Sequence, residues 1–144
     1  MSDYSGEAPH AFNIRKTVYE ALREHCWQAK PIEACGFLSG KELWHGDTLW
    51  AVENEAHSPA RFLISEAAVA SVLRAIAERG ERLTGLYHSH PTARAIPSAR
   101  DLAYHPYPDL PYFIFSLVKK EGELCGYLIN KKRIEELNIA VIDE

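Results

Sequence analysis

Apolar positions recur along this chain with two alternating periods, near two and near four residues, which predicts strands and helices in turn. Residues 12–14 form a first short extended run. From about Arg15 to Ala29, Val18, Leu22 and Cys26 recur at four-residue spacing with Ala21 and His25 alongside, giving the apolar stripe of an amphipathic helix. Pro31 lies just beyond its end. Residues 34–38, bounded by Gly40, and Thr48–Val52 read as the strands of a hairpin that turns through residues 41–47. Ser65 suits the N-cap of a second helix, with Ile64 and Val69 as a hydrophobic staple, Val69, Val72, Leu73 and Ile76 as the buried face, and Gly80 as the end.

Residues 83–89 follow as a strand that carries a histidine at its carboxyl end. A Pro- and Ala-rich loop leads to a helical turn from Ser98 to about Tyr104, and Pro106, Pro108 and Pro111 make residues 105–111 irregular. Residues 112–118 and 124–129, and the alternation Leu137, Ile139, Val141, complete the strands. The expected architecture is α/β, a mixed curved β-sheet flanked by helices. Residues 10–144 form a single domain in this reading, after a disordered segment of residues 1–9.

The 144 residues are enough to bury a core without disulfide or metal staples. Hydrophobic residues make up 47% and charged residues 25%, as in soluble globular proteins. Net charge is -4, and the lysines and arginines are scattered rather than gathered into a stripe, which argues against nucleic acid as a partner. The Lys119-Lys120 and Lys131-Lys132-Arg133 clusters read as solvated turns. Neither the features of a signal peptide nor an apolar run of membrane-spanning length is present, so a cytoplasmic protein with no membrane partner is expected. Cys26, Cys35 and Cys125 include no C-x-x-C pair, and suggest neither a disulfide framework nor a cysteine zinc knuckle.

The candidate chemistry lies in His88-Ser89-His90-Pro91 and Pro97-Ser98-Ala99-Arg100-Asp101. Residues i and i+2 of a strand share a face, so both imidazoles can grip one ion. With Asp101 as an oxygen ligand, three protein ligands plus a water make the open arrangement of a catalytic zinc. Taken alone, Ser98 and Asp101 are better explained as the capping box of a short helix, and Asp101 could support a metal ligand rather than be one. Glu33 alone reads as an exposed loop acid. Cys35, two residues on, is weighed as a nucleophile paired with His88 or His90 and ranks low, because nothing near it signals a lowered pKa. His10, His25, His45, His57 and His105 read as surface or packing residues, with His105 close enough in sequence to Asp101 to approach the pocket. The H-E-x-x-H, P-C-x-x-C, G-x-S-x-G, P-loop and G-x-G-x-x-G motifs are all absent.

Taken together, His88, His90, Ser98 and Asp101 fit H-x-H-x7-S-x2-D, with Glu33 upstream in Pro31-Ile32-Glu33-Ala34-Cys35-Gly36-Phe37-Leu38-Ser39-Gly40. The chain thereby resembles the JAMM (MPN-plus) zinc metalloprotease family, especially its compact prokaryotic branch, over nearly its whole length. That resemblance implies a fold similar to cytidine deaminases and one zinc per chain, held by His88, His90 and Asp101. It also implies Glu33 as general acid/base and Ser98 as a stabiliser of the oxyanion. The implied reaction is hydrolysis of an amide bond, isopeptide or linear, after the C-terminal Gly-Gly of a ubiquitin-like sulfur-carrier protein. Two alternatives stand beside it: a zinc peptidase or amidase acting on small peptides, and a non-catalytic MPN scaffold.

Overall fold

The computed structural model describes residues 11–103, 107, 109–130 and 134–143. Expectations for residues 1–9, Tyr104, His105 and the 131–133 cluster lie outside the described residues. The chain begins with β1 (Phe12–Arg15), α1 (Lys16–Ala29), β2 (Cys35–Gly40), β3 (His45–Gly46) and β4 (Thr48–Val52). It continues through α2 (Glu66–Glu78), β5 (Arg82–His90), α3 (Ala99–Ala103), β6 (Tyr112–Ser116), β7 (Glu123–Ile129), β8 (Ile134–Leu137) and β9 (Ile139–Ile142). A six-stranded sheet has the order β4-β2-β5-β6-β7-β8, and a three-stranded sheet the order β3-β1-β9. In the larger sheet only β5 and β6 run parallel. The smaller sheet is parallel throughout.

The mixed sheet with flanking helices is as expected, but its division in two is not. The alternation Leu137, Ile139, Val141 spans both sheets, since Leu137 pairs with Gly126 in the larger one and Ile139 with Phe12 in the smaller. The crossing falls at Asn138, whose carbonyl accepts the Phe12 N–H at 2.8 Å. Within the turn expected at residues 41–47, His45 and Gly46 pair with β1. β6 ends at Ser116, and Leu117 and Val118 lie beyond it.

Successive residues of the central strands point to opposite faces. Leu38, Tyr87, Phe113 and Phe115 join Val18, Leu22 and Cys26 of α1 in one core. Phe37, Leu86, Tyr112 and Ile114 face the other way, against Val69 and Val72 of α2. The larger sheet therefore lies between the two helices. Ser65 Oγ accepts the Ala68 N–H at 3.1 Å, giving α2 the cap that its sequence signals. Gly80 takes φ +77, the left-handed conformation that follows a helix end at little cost to glycine. Leu73 departs from expectation: it is 37% exposed, because the buried face of α2 is narrower than its run of apolar residues. Among the described residues no helix is long and apolar enough to cross a membrane.

Candidate metal centre

The face that carries Leu86 continues through His88 and His90, so the i, i+2 rule places both imidazoles on the α2 side of the sheet. Both are buried, between β2 on one side and the parallel β6 on the other. The His88 ring is held by two aromatic neighbours, Phe62 stacked at 5.0 Å and 27° and Tyr112 tilted at 5.1 Å and 34°. His90 Nδ1–H donates to the Arg94 carbonyl at 2.8 Å, so in the neutral ring Nε2 carries the lone pair.

Asp101 sits in the first turn of α3. Its Oδ1 lies 3.2 Å from His88 Nε2 and its Oδ2 3.1 Å from His90 Nε2. The capping box is also formed: Asp101 N–H donates to Ser98 Oγ at 3.0 Å, and Ser98 N–H to Asp101 Oδ2 at 2.8 Å. The two readings of S-x-x-D are thus compatible, because the helix cap itself aims the carboxylate at both imidazoles. Ser98 stays exposed at the edge of this cluster, with its hydroxyl proton uncommitted to the cap.

Glu33 lies in the segment that enters β2 and is 4% exposed, not the surface acid its isolated position suggests. Its N–H donates to the Ser58 carbonyl at 3.0 Å, its carbonyl accepts from Asn54 Nδ2 at 3.0 Å, and its Oε1 has no hydrogen-bond partner. Glu33, His88 and His90 offer ligand atoms all within 4.8 Å of one another. The chain therefore brings together Glu33, His88, His90 and Asp101, with Ser98 alongside.

Burial pushes the Glu33 carboxyl up to about 8, with His90 opposing the rise and Asp101 adding to it. The same desolvation lowers the His88 pKa and keeps that ring neutral. At His90 burial acts downward, but hydrogen bonds to Asp101 and the Arg94 carbonyl outweigh it, and its pKa rises. Burial works against ionisation of Asp101 too, yet the two imidazoles and the Ser98 N–H hold its carboxyl far below the usual range.

These groups suit a divalent cation. His88 is wholly buried and neither ring nitrogen has a hydrogen-bond partner, although Asp101 Oδ1 is close. Each buried polar atom left this way costs about 1–3 kcal/mol. Two imidazoles with a carboxylate on either side would be satisfied by one positive ion, and N and O donors of this kind fit zinc.

Cys35 pairs with His88 across β2 and β5. Burial, with the Glu33 charge adding to it, pushes its thiol up to about 12, and Sγ donates to the Val52 carbonyl at 3.9 Å. A thiol held in that form is a poor nucleophile. Phe62, Tyr112 and Asn54 have no local signature in the sequence, because their contacts with His88 and Glu33 are closed between distant segments. The same holds for the groove of about 330 Å3 beside Asp101, walled by Phe37, Phe62, Leu63 and Tyr112 with Arg61 and Arg100 among its lining.

The fold and the cluster have counterparts among known proteins. Residues 15–130 match the family of prokaryotic homologues of the JAB domain. The desampylase of Haloferax volcanii is 30% identical over 135 residues, covering 91% of this chain and 94% of that protein. The CysO-cysteine peptidase of Mycobacterium tuberculosis is 28% identical over 133 residues, 91% of each chain. A solved protein from Desulfitobacterium hafniense superposes with a TM-score of 0.86 at 29% identity, covering 92% of this chain and 93% of the other. A JAB1/MPN domain protein from Archaeoglobus fulgidus, at 22% identity, shares the fold with a TM-score of 0.63, covering 93% of this chain and all of its own. Matched over the segment that runs from the end of β1 to the end of β7 and holds every residue of the cluster, the chain belongs to the prokaryotic JAB-domain family.

Proposed function

We propose that this protein is a zinc-dependent peptidase that hydrolyses the amide bond after the C-terminal Gly-Gly of a ubiquitin-like sulfur-carrier protein. The observation that carries the reading is that two carboxylates from separate stretches of chain meet the same pair of buried imidazoles: Glu33 has a ligand atom within 4.8 Å of both, and Asp101 lies 3.2 Å from His88 Nε2 and 3.1 Å from His90 Nε2. The substrate class is supported by relatives whose names describe a desampylase, a CysO-cysteine peptidase and a probable TtuB-protein conjugate cleaving protease. Free thiols at Cys26, Cys35 and Cys125 suit a reducing cytoplasm.

In this reading His88, His90 and Asp101 would hold one zinc ion, which would supply an acidified water, with a pKa of about 7, and polarise the scissile carbonyl. Glu33, buried beside both imidazoles, would accept a proton from the attacking water and pass it to the departing amine, a role that needs its carboxyl ionised at the start of the reaction. Ser98 Oγ accepts the Asp101 N–H, which leaves its own hydrogen free to donate to the oxygen that gains charge. Arg94 orients His90 through its carbonyl, and Phe62 and Tyr112 hold the His88 ring in plane. A glycine tail suits the approach, because glycines pass where longer side chains would clash.

Sulfur carriers bearing C-terminal extensions, incubated with zinc-loaded protein and weighed by mass spectrometry, are expected to shorten to their Gly-Gly ends. Intact carriers alongside hydrolysis of a small amide substrate would shift the assignment to a general amidase. Failure to take up close to one equivalent of zinc after reconstitution would favour the scaffold.

A further inference from the structure

Asn54 is buried, 7% exposed, in the connection between β4 and α2. A side-chain amide has two hydrogens and two acceptor lone pairs. All four are spent on main chain. Nδ2 donates to the Glu33 carbonyl at 3.0 Å and to the Arg61 carbonyl at 3.0 Å. Oδ1 accepts from Ala56 N–H at 3.0 Å and from Leu63 N–H at 3.1 Å. One side chain therefore ties the backbone of Glu33 to both ends of the loop that carries Phe62.

The loop closes on itself around this amide. Glu55 N–H donates to the Leu63 carbonyl at 2.9 Å, His57 N–H to the Asn54 carbonyl at 3.0 Å, and the Ser58 carbonyl receives the Glu33 N–H at 3.0 Å. The Glu33 peptide is thus held on its N–H side by the loop and on its carbonyl side by Asn54. On the loop's far limb Phe62 stacks on His88, and Arg61, Phe62 and Leu63 line the groove beside Asp101.

We infer that Asn54 is a positioning residue, which sets the Glu33 carboxyl against the metal centre and fixes the Arg61–Leu63 groove wall in the same act. The inference rests on the proposed hydrolytic role of Glu33. No other residue reproduces the arrangement: aspartate keeps both acceptors and loses both donors, leucine keeps the shape and loses all four bonds, and glutamine is one methylene too long. A misplacement of about 1 Å at a reacting group costs roughly 100-fold in rate.

The test compares Asn54→Ala and Asn54→Asp with the parent by three measurements: zinc content, kcat and KM on an extended carrier, and site-resolved amide hydrogen exchange. The expected result is zinc near the parental equivalent, kcat lowered roughly 100-fold per zinc-loaded folded molecule, KM raised, and faster exchange at Glu33, Ala56 and Leu63. His57→Asn, at an exposed position of the same loop, should leave kcat within about twofold, as surface changes away from such features usually do. A role confined to folding would lower the melting temperature and leave kcat per folded molecule at the parental value, and that result would overturn the inference. Should Asn54→Ala fail to fold, Asn54→Asp decides the matter by the same readouts. If the parent cleaves no carrier, the proposed function fails separately, and unchanged protection of the Glu33 amide in the variants would still overturn the linkage.

Discussion

Ala34 and Ser89 exchange two hydrogen bonds. Ala34 N–H donates to Ser89 Oγ at 2.7 Å, and Ser89 N–H donates to the Ala34 carbonyl at 3.0 Å. The residue between the two histidines is thereby locked to the residue that follows Glu33, on the face of β5 opposite the candidate metal centre. Ser89→Ala leaves the Ala34 N–H buried without its acceptor, an expected loss of about 1–3 kcal/mol that urea unfolding would measure. Zinc content should stay near that of the parent, because His88 and His90 keep their strand. A variant with unchanged unfolding midpoint would show that this bond contributes little.

Glu33→Gln preserves size and removes the ionisable oxygen. Retained zinc with turnover reduced about 100- to 10,000-fold is expected, to be read by metal analysis and steady-state kinetics on one preparation. His88→Ala should lose both zinc and turnover. Full activity in Glu33→Gln would take the acid/base role away from that residue.

Metal affinity should weaken in acid, and His90 should lead. Its metal-free pKa lies above the ordinary 6.5, whereas burial lowers that of His88 and Asp101 stays ionised. Below the His90 pKa one proton must leave for each ion bound, so the apparent affinity should fall about tenfold per pH unit. Competition with a chromophoric chelator across pH 5 to 8 reports the slope. A flat profile through that range would mean that His90 is not a ligand.

Asp101→Asn removes the charge that faces both imidazoles but keeps an oxygen for the Ser98 N–H. The expected outcome is a loss of zinc affinity well beyond the roughly 10- to 100-fold typical of an outer-shell partner. A smaller drop would move Asp101 from ligand to support, the other reading that its sequence allows. Chelator competition on the refolded variant distinguishes the two.

Gly36 in the Glu-Ala-Cys-Gly segment has a plain steric reason. A Cβ there would meet the Trp50 carbonyl oxygen and lie 2.6 Å from the Tyr87 hydroxyl. Gly36→Ala should therefore cost about 1–3 kcal/mol and separate β2 from its neighbours. Thermal unfolding of the variant checks this, and parental stability would mean that β4 gives way easily.

Much of the layout was legible because it is periodic. The four-residue spacing of Val18, Leu22 and Cys26 marks α1, Ser65 marks the start of α2, and the single residue between His88 and His90 puts both rings on one face. Glu33 became legible only through its family segment, since its burial is produced by Ser58 and Asn54 from a loop over twenty residues away. Phe62 and Tyr112 were not legible as ring supports for the same reason: contacts closed across a sheet have no local pattern. Asn138 shows a different limit, for an unbroken apolar alternation carries no mark of where a chain leaves one sheet for another.

The opposite orientation of neighbouring residues in β5 makes the centre an all-or-none property of strand alignment. A slip of one position would turn Ser89 toward Asp101 and drive both histidines into the packing around α1. Tyr87 on one side and Leu86 on the other, each almost wholly enclosed, penalise that slip from both directions. The apolar interior thus sets the placement of both imidazoles without an ion, so a metal bound there as proposed could exchange without the fold having to be rebuilt.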